Sequence, residues 1–343
     1  MKIAVCEESK KIVIKETEEP KFKQDEVLVK VKSVGISHLD VLAYTGRYSD
    51  IKYPIILGSE FYGEVVGIGK KVENLEIGDE VIGEPLLSCE KCESCLSGTT
   101  NLCRNNVILG LHKNGAFAEY LAIKSALTHR KDESMSSDEA VLISPLATSI
   151  HAIKQADISI GDLVVIFGAG CNGLLTLQVA KRAGISVIVM DEDSERLHLS
   201  ADLGADYVVS PLSNDAQELI MAITKDKGVK YIFECSGNLQ NLTKAIDLVC
   251  KSGKIVMMEW TGNDIDQLPL TKIMANEISL IGLSTNCKNF ALAIELVNSG
   301  LINLNSIVSH DYEFNEIPNA FEELSKGGSD IVKAIIRFAE EED

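Results

Sequence analysis

Two kinds of hydrophobic patterning divide the chain near Pro145. Before it, apolar positions alternate over short runs punctuated by glycine. Val27–Val34 alternates and predicts a strand, as does the opening MKIAVCEESKKIVIKE. Glu64–Ile68 and Glu80–Ile82 predict short strands, each beside a glycine, and Phe117–Ile123 predicts another. This is an irregular, β-rich region. Beyond Pro145 the period changes. Leu146–Ala156 has helical spacing, Leu163–Phe167 is an apolar run of strand length, Gly173–Arg182 predicts a helix and Ser186–Met190 a second apolar strand. The alternation continues with helix 194–203, strand 207–209, helix 214–225, strand 230–234, helix 241–249 and strands 254–258 and 278–282. Strands alternating with helices predict an α/β fold with a parallel sheet covered on both faces. Cys287–Ser299 predicts an amphipathic helix, Ile331–Phe338 a final strand, and Glu340–Asp343 a solvated acidic tail.

The length of 343 residues suggests about two domains. Hydrophobic residues at 45% against 24% charged supply enough apolar material for sizeable cores. Lys and Arg number 33 against 51 Asp and Glu, a net charge of −18, which leaves no basic footprint for nucleic acid or an anionic membrane. The longest apolar stretch, Leu163–Ala180, is interrupted by Gly168, Gly170, Asn172 and Gly173 and does not predict a membrane span. The N-terminus lacks the apolar core and small-residue cleavage site of a signal peptide. Together with nine cysteines, an odd number, this predicts a reducing compartment and a cytoplasmic location.

Four of those cysteines form Cys89-x2-Cys92-x2-Cys95-x7-Cys103. Four thiolates at this spacing predict one tetrahedral zinc, with Zn–S bonds of about 2.3 Å and no position left open for substrate, so the role is structural. Iron shares the taste for thiolates, but nothing else in the chain signals a redox cluster. The second motif, Gly168-Ala169-Gly170-Cys171-Asn172-Gly173, follows the Leu163–Phe167 strand and opens a helix. In that context the first glycine permits the tight turn, the second admits a pyrophosphate to the backbone, and the third allows close packing of helix on strand. The helix N-terminus favours the anion. Asp191 ends the next strand, where an acid accepts hydrogen bonds from ribose hydroxyls and repels a 2′-phosphate. Glu192 and Asp193 add to that repulsion, and the nearest arginine is Arg196. NAD(H) is therefore expected in preference to NADP(H).

These motifs in this order resemble the zinc-type medium-chain alcohol/polyol dehydrogenases. The resemblance runs through Gly58–Gly63 (GSEFYG), the cysteine lobe, Gly115–Tyr120 (GAFAEY), Pro145-Leu146-Ala147, the glycine fingerprint and Phe233–Gly237 (FECSG). It implies a GroES-like domain from 1–147 and 285–343 with a zinc lobe at 85–105, and a Rossmann domain at 148–284. It further implies an active site in the cleft between them, a small-molecule substrate, and a homodimer or homotetramer. The family also carries a catalytic zinc, and here the chain departs from it. The family's cysteine position holds Ser37, its histidine position holds Ser59, and the glutamate of the polyol branch is Ser144; only Glu60 remains. The relay hydroxyl is replaced by Leu39. A serine hydroxyl is a poor ligand in competition with water, so the catalytic zinc is expected to be absent.

By the same resemblance His38 contacts the cofactor pyrophosphate. Asp40 would orient a zinc-bound histidine, a role its place here offers equally to helix capping. His151 is expected to be a packed helix-face histidine, and Tyr44, Tyr48 and Tyr62 to be core or rim residues. Three functions follow. One is an NAD(P)-dependent oxidoreductase that works without catalytic zinc, on a substrate already electrophilic or polarised by the protein. The second is a conventional zinc-dependent dehydrogenase with unusual ligands. The third is an inactive nucleotide-binding relic.

Overall fold

Glu26–Gly35 (EVLVKVKSVG), ten residues long, carries the most β-branched residues of any strand in the N-terminal region and organises the first of two units. That unit comprises Met1–Ser144, Phe290–Gly300 and the chain from Leu304. The structure, a computed structural model, describes residues 1–259, 262, 268–327 and 331–339; the acidic tail lies outside them. Glu26–Gly35 pairs antiparallel with Glu60–Ile68, Tyr120–Lys124 and Ala334–Arg337. The sheet runs Thr128–Arg130, Glu80–Gly83, Glu60–Ile68, Glu26–Gly35, Ala334–Arg337, His310–Glu313. Val27, Val29, Val31 and Val34 are buried from this central strand into a core with Phe61, Phe117 and Phe321. The C-terminal strand thus completes a sheet begun by the N-terminal third. The cysteine lobe hangs from a two-stranded ribbon, Leu86–Leu87 with Val107–Ile108.

The second unit is Pro145–Asn289 with Leu301–Asn303. The units divide after Ser144 and Asn289, where the sequence reading divided them after 147 and 284. Six parallel strands lie in the order Tyr207–Val209, Ser186–Met190, Leu163–Phe167, Val229–Glu234, Val249–Met257, Ser279–Gly282. Read by their order along the chain this is 3-2-1-4-5-6, the doubly wound arrangement that binds dinucleotides where the strand order reverses. Val165, Phe167, Ile188, Ile232 and Ile255 are fully buried between its helices. No helix among the described residues is long and apolar enough to cross a membrane.

Several elements differ from their expected bounds. The helix placed at Leu146–Ala156 begins nine residues earlier, at Ser137, and carries Pro145 inside it. A proline normally marks a helix's first turn, which is why the pattern suggested a start beside it. The strand expected at Phe117–Ile123 is Tyr120–Lys124, the helix expected at Cys287–Ser299 is Phe290–Asn298, and the final strand is Ala334–Arg337. The helices His38–Tyr44 and Ile317–Ser325 were not foreseen, although the second places apolar Ile317, Ala320, Phe321 and Leu324 at helical spacing.

One charged cluster ties the sheet margin together. Glu80 receives the Tyr62 hydroxyl, Lys131 at 3.0 Å and Lys32 at 3.1 Å. Burial alone would raise its carboxyl, but these three donors hold it down at about 2 from 4.5. A carboxyl held below its unfolded value stabilises the fold above about pH 4.5, and that contribution fades as pH falls toward 2. Glu80→Gln should cost about 1 kcal/mol at pH 7, since the side chain is more than a third exposed and its pairs are screened. Urea unfolding from pH 7 to pH 3 checks this. The difference between wild type and variant should shrink as pH drops through that range.

Candidate functional site

The four cysteines come together as their spacing predicts. Their sulfurs all lie within 4.8 Å of one another. Cys92–Cys95, Cys92–Cys103 and Cys89–Cys95 are 3.5, 3.8 and 4.0 Å apart. Four sulfurs about 2.3 Å from one ion in a tetrahedron are about 3.8 Å apart, so the donor set fits zinc. The backbone N–H groups pull the cluster's thiols toward the thiolate, although burial and the neighbouring Cys89 and Cys95 thiols leave Cys103 raised to about 11. N–H groups of Cys89 and Asn105 point at Cys103 Sγ at 3.3 and 3.4 Å. A hydrogen bond from the Lys91 N–H leads the effects that hold the Cys89 thiol down at about 6.

In the second unit the Leu163–Phe167 strand leads into the glycine loop and the helix Cys171–Arg182, whose N-cap is Gly170. Gly168 has φ +93°, where a side chain would be strained, and a Cβ on it would press against the Ser236 backbone at 2.8 Å. A Cβ on Gly173 would lie 1.9 Å from Gly168 O, so helix and loop close only around glycine. A Cβ on Gly170 would meet no protein atom within 4 Å, which leaves its face open to a ligand. Cys171 and Asn172 occupy the first turn, both half-buried. Asp191 is held against this loop: its Oδ2 accepts from Ala169 N at 2.6 Å and its Oδ1 from Asp193 N at 2.9 Å. Each oxygen retains a second lone pair for a ribose hydroxyl. Asp193 caps the following helix by accepting from Arg196 N. His151 is buried, and burial first, then the Lys154 charge, lower its pKa.

In the first unit, two of the positions corresponding to a catalytic metal site, Ser37 and Glu60, are engaged otherwise. Ser37 is the N-cap of His38–Tyr44 and forms a capping box with Asp40. Its hydroxyl donates to Asp40 Oδ2 at 2.6 Å and accepts from Asp40 N at 3.1 Å. Asp40 is fully buried, and its carboxylate also accepts from Ser37 N and from Gly58 N, both at 2.9 Å. Burial raises its pKa, and the Ser37 hydroxyl, those two N–H groups and the Lys333 charge pull against it. Capping is thus the role Asp40 fills. Ser59 and Ser144 are both buried. His38 is exposed at the first position of its helix.

Glu60 meets a residue that the sequence reading did not single out. Lys333 donates from Nζ to Glu60 Oε2 and, at 3.0 Å, to Ile36 O. Their side chains are 4% and 9% exposed. Register explains the meeting: Gly35 pairs with Glu60 on one side and with Ile335 on the other. A Cβ on Gly35 would lie 2.8 Å from Glu60 Oε2 and 2.9 Å from Lys333 Cε, so the pair fits only over a glycine. The available signal was a single lysine beside a strongly apolar strand, Lys333-Ala-Ile-Ile. Among the described residues, the four cysteines are the sole group of three or more His, Cys, Asp or Glu side chains placed to share a metal.

Comparison with known proteins supports the fold and the family. The sequence profile of the alcohol dehydrogenase GroES-like domain matches residues 23–133, and that of the zinc-binding dehydrogenases matches 173–299. A sorbitol dehydrogenase of Halalkalibacterium halodurans is 33% identical over 92% of each chain. A Sinorhizobium meliloti 1021 protein solved with NADP superimposes with a TM-score of 0.90 at 28% identity, over 98% of each chain. An Escherichia coli CFT073 alcohol dehydrogenase complexed with NADH also gives 0.90, at 27% identity over 98% of this chain and 99% of its own.

The Lys333–Glu60 pair makes a direct prediction. Lys333→Met leaves a buried carboxylate without its cation and should cost about 3–5 kcal/mol. Adding Glu60→Leu should recover most of that loss, because two apolar side chains replace the pair. Denaturant unfolding of both single variants and the double variant measures the coupling.

Proposed function

Because this chain belongs to the zinc-type medium-chain dehydrogenase family and is an oxidoreductase, we propose that it transfers hydride between NAD(H) and a small carbonyl or hydroxyl substrate without a catalytic zinc. The observation that carries this reading is the engagement of the donors that would hold such a metal. The Ser37 hydroxyl both donates and accepts within its capping box, and Glu60 is committed to Lys333. Ser59 and Ser144 offer only neutral hydroxyls, which compete poorly with water for a divalent ion. A bound nicotinamide supplies the hydride chemistry. Without a Lewis acid to stabilise an alkoxide, the substrate must be electrophilic already, as a conjugated enone or iminium is, or be polarised by protein groups. Glu60, held by Lys333, and the hydroxyls of Ser37, Ser59 and Ser144 are the groups to which we assign that polarising role. The Cys89, Cys92, Cys95 and Cys103 set holds one structural zinc.

The cofactor preference rests on Asp191. Its carboxylate is fixed beside the glycine loop, with Glu192 and Asp193 following, an arrangement that accepts a ribose and repels a 2′-phosphate. Relatives have been solved with either cofactor, so the acid is the specific reason to favour NAD(H). The competing reading is an ordinary zinc-dependent polyol dehydrogenase, as the sorbitol dehydrogenase relative suggests. It requires a second metal held by other ligands. A homodimer or homotetramer is the assembly we expect.

Two measurements test the proposal. Titration should show NADH bound at least about tenfold more tightly than NADPH, and Asp191→Ser should narrow that gap. Equal affinities would remove the role given to Asp191. In a substrate panel, NADH should be consumed with electrophilic acceptors, and this turnover should persist in a chelator that leaves the cysteine site loaded, while simple polyols reduce NAD poorly. Fast polyol oxidation abolished by that chelator would favour the conventional enzyme. Tight NADH binding with no turnover on any acceptor would favour the inactive relic.

A further inference from the structure

The cofactor's two ends can be placed on this sheet by order alone. Asp191 follows the Ser186–Met190 strand, which lies on one side of Leu163–Phe167 and its glycine loop. If the adenosine ribose lies there and the pyrophosphate over the loop, the nicotinamide half continues to the other side, over the carboxyl ends of Val229–Glu234 and Val249–Met257. Those ends carry two acids, Glu234 and Glu259.

The two acids are not equivalent. Glu234 is 4% exposed and already takes the N–H and hydroxyl of Ser236. Glu259 is half-buried. It is also held in place. Met258 N donates to Glu234 O at 2.9 Å, and Met258 Sδ receives the Thr176 hydroxyl and the Cys235 thiol, each at 3.4 Å. Asn172, in the first turn of the loop's own helix, donates from Nδ2 to Glu259 Oε1 at 2.5 Å. Glu259 is close enough that its charge helps raise the carboxyl of Glu234, chiefly a consequence of burial.

We propose that Glu259, clamped by Asn172, is a positioning residue for the nicotinamide half of the cofactor and favours its oxidised form. The inference rests on the dinucleotide reading of the glycine loop. The physical reason is charge: the oxidised ring is a cation and the reduced ring is neutral, so a fixed carboxylate beside it stabilises the first over the second. Tighter holding of the oxidised product makes bound NADH a better hydride donor, which suits reduction of an electrophilic acceptor. Glu259 lies outside the glycine fingerprint and is reached from within it by Asn172.

Calorimetric titration of the full chain with ADP, NAD+ and NADH tests this, in wild type, Glu259→Gln and Glu259→Asp. Glu259→Gln should raise the ratio of the NAD+ to the NADH dissociation constant about fivefold, while ADP affinity stays within about twofold. Glu259→Asp keeps the charge and should keep the wild-type ratio. An unchanged ratio in Glu259→Gln would overturn the proposal. So would a loss of ADP binding as large as that of NADH, since Glu259 would then act only by shaping the loop through Asn172. Should Glu259→Gln not fold, a ratio in Glu259→Asp shifted as far as a neutral side chain would shift it overturns the proposal equally. Wild-type protein that binds none of the three would reject the dinucleotide reading itself, and the proposal with it.

Discussion

Taking an ammonium and a carboxylate out of water costs several kcal/mol each, so Lys333 and Glu60 persist at 4% and 9% exposure only by meeting. Gly35 lies between them on the central strand, and any side chain there would strike both. The strands on either side come from opposite ends of the chain, Glu60–Ile68 and Ala334–Arg337. Ile36, the residue after Gly35, gives its carbonyl to the same ammonium. The next residue, Ser37, starts the helix whose capping carboxylate, Asp40, also feels the Lys333 charge. A single buried cation therefore links the sheet, the capping box and Gly58, whose N–H is bound by Asp40.

This constraint bears on chemistry as well as stability. A divalent ion between Ser37, Ser59 and Glu60 would have to compete with Lys333 for Glu60 and with the helix cap for Ser37. The neutral side chains that stand in the family's ligand positions offer little in return. By contrast, the four cysteines meet one another and nearby N–H groups. The two candidate metal positions in one chain thus differ in kind, one closed and soft, the other hydrogen-bonded and cationic. The nucleotide edge shows a complementary economy. Acids at three strand ends, Asp191, Glu234 and Glu259, flank a loop that carries no side chain at its closest approach.

How much of this was legible in the sequence depended on the range of the interactions involved. The cysteine spacing and the strand–GxGxxG–helix context are local, and the structure puts both sets of residues together as their spacing implies. Leu163–Phe167 and Ser186–Met190 were legible to the residue, because buried parallel strands are short unbroken apolar runs. Pro145 hid the first nine residues of its helix, since proline ordinarily marks an end. The helix at His38 is only seven residues long and showed no apolar period; its one local sign was the Ser37–Asp40 pair. Lys333 could not be matched to Glu60 without the register, because 273 residues separate them. The contact of Glu259 with Asn172 was hidden for the same reason, the two lying 87 residues apart until the sheet brings their segments together.

We propose that this chain has one place for a transition metal, in the cysteine lobe, and that Glu60 is committed to Lys333 instead. Zinc K-edge X-ray absorption with elemental analysis, on protein purified without added metal, tests it most directly. The expected result is about one zinc per chain with four sulfur neighbours at about 2.3 Å and no nitrogen or oxygen shell. About two zincs per chain, with a mixed shell of oxygen or nitrogen alongside sulfur, would contradict the account.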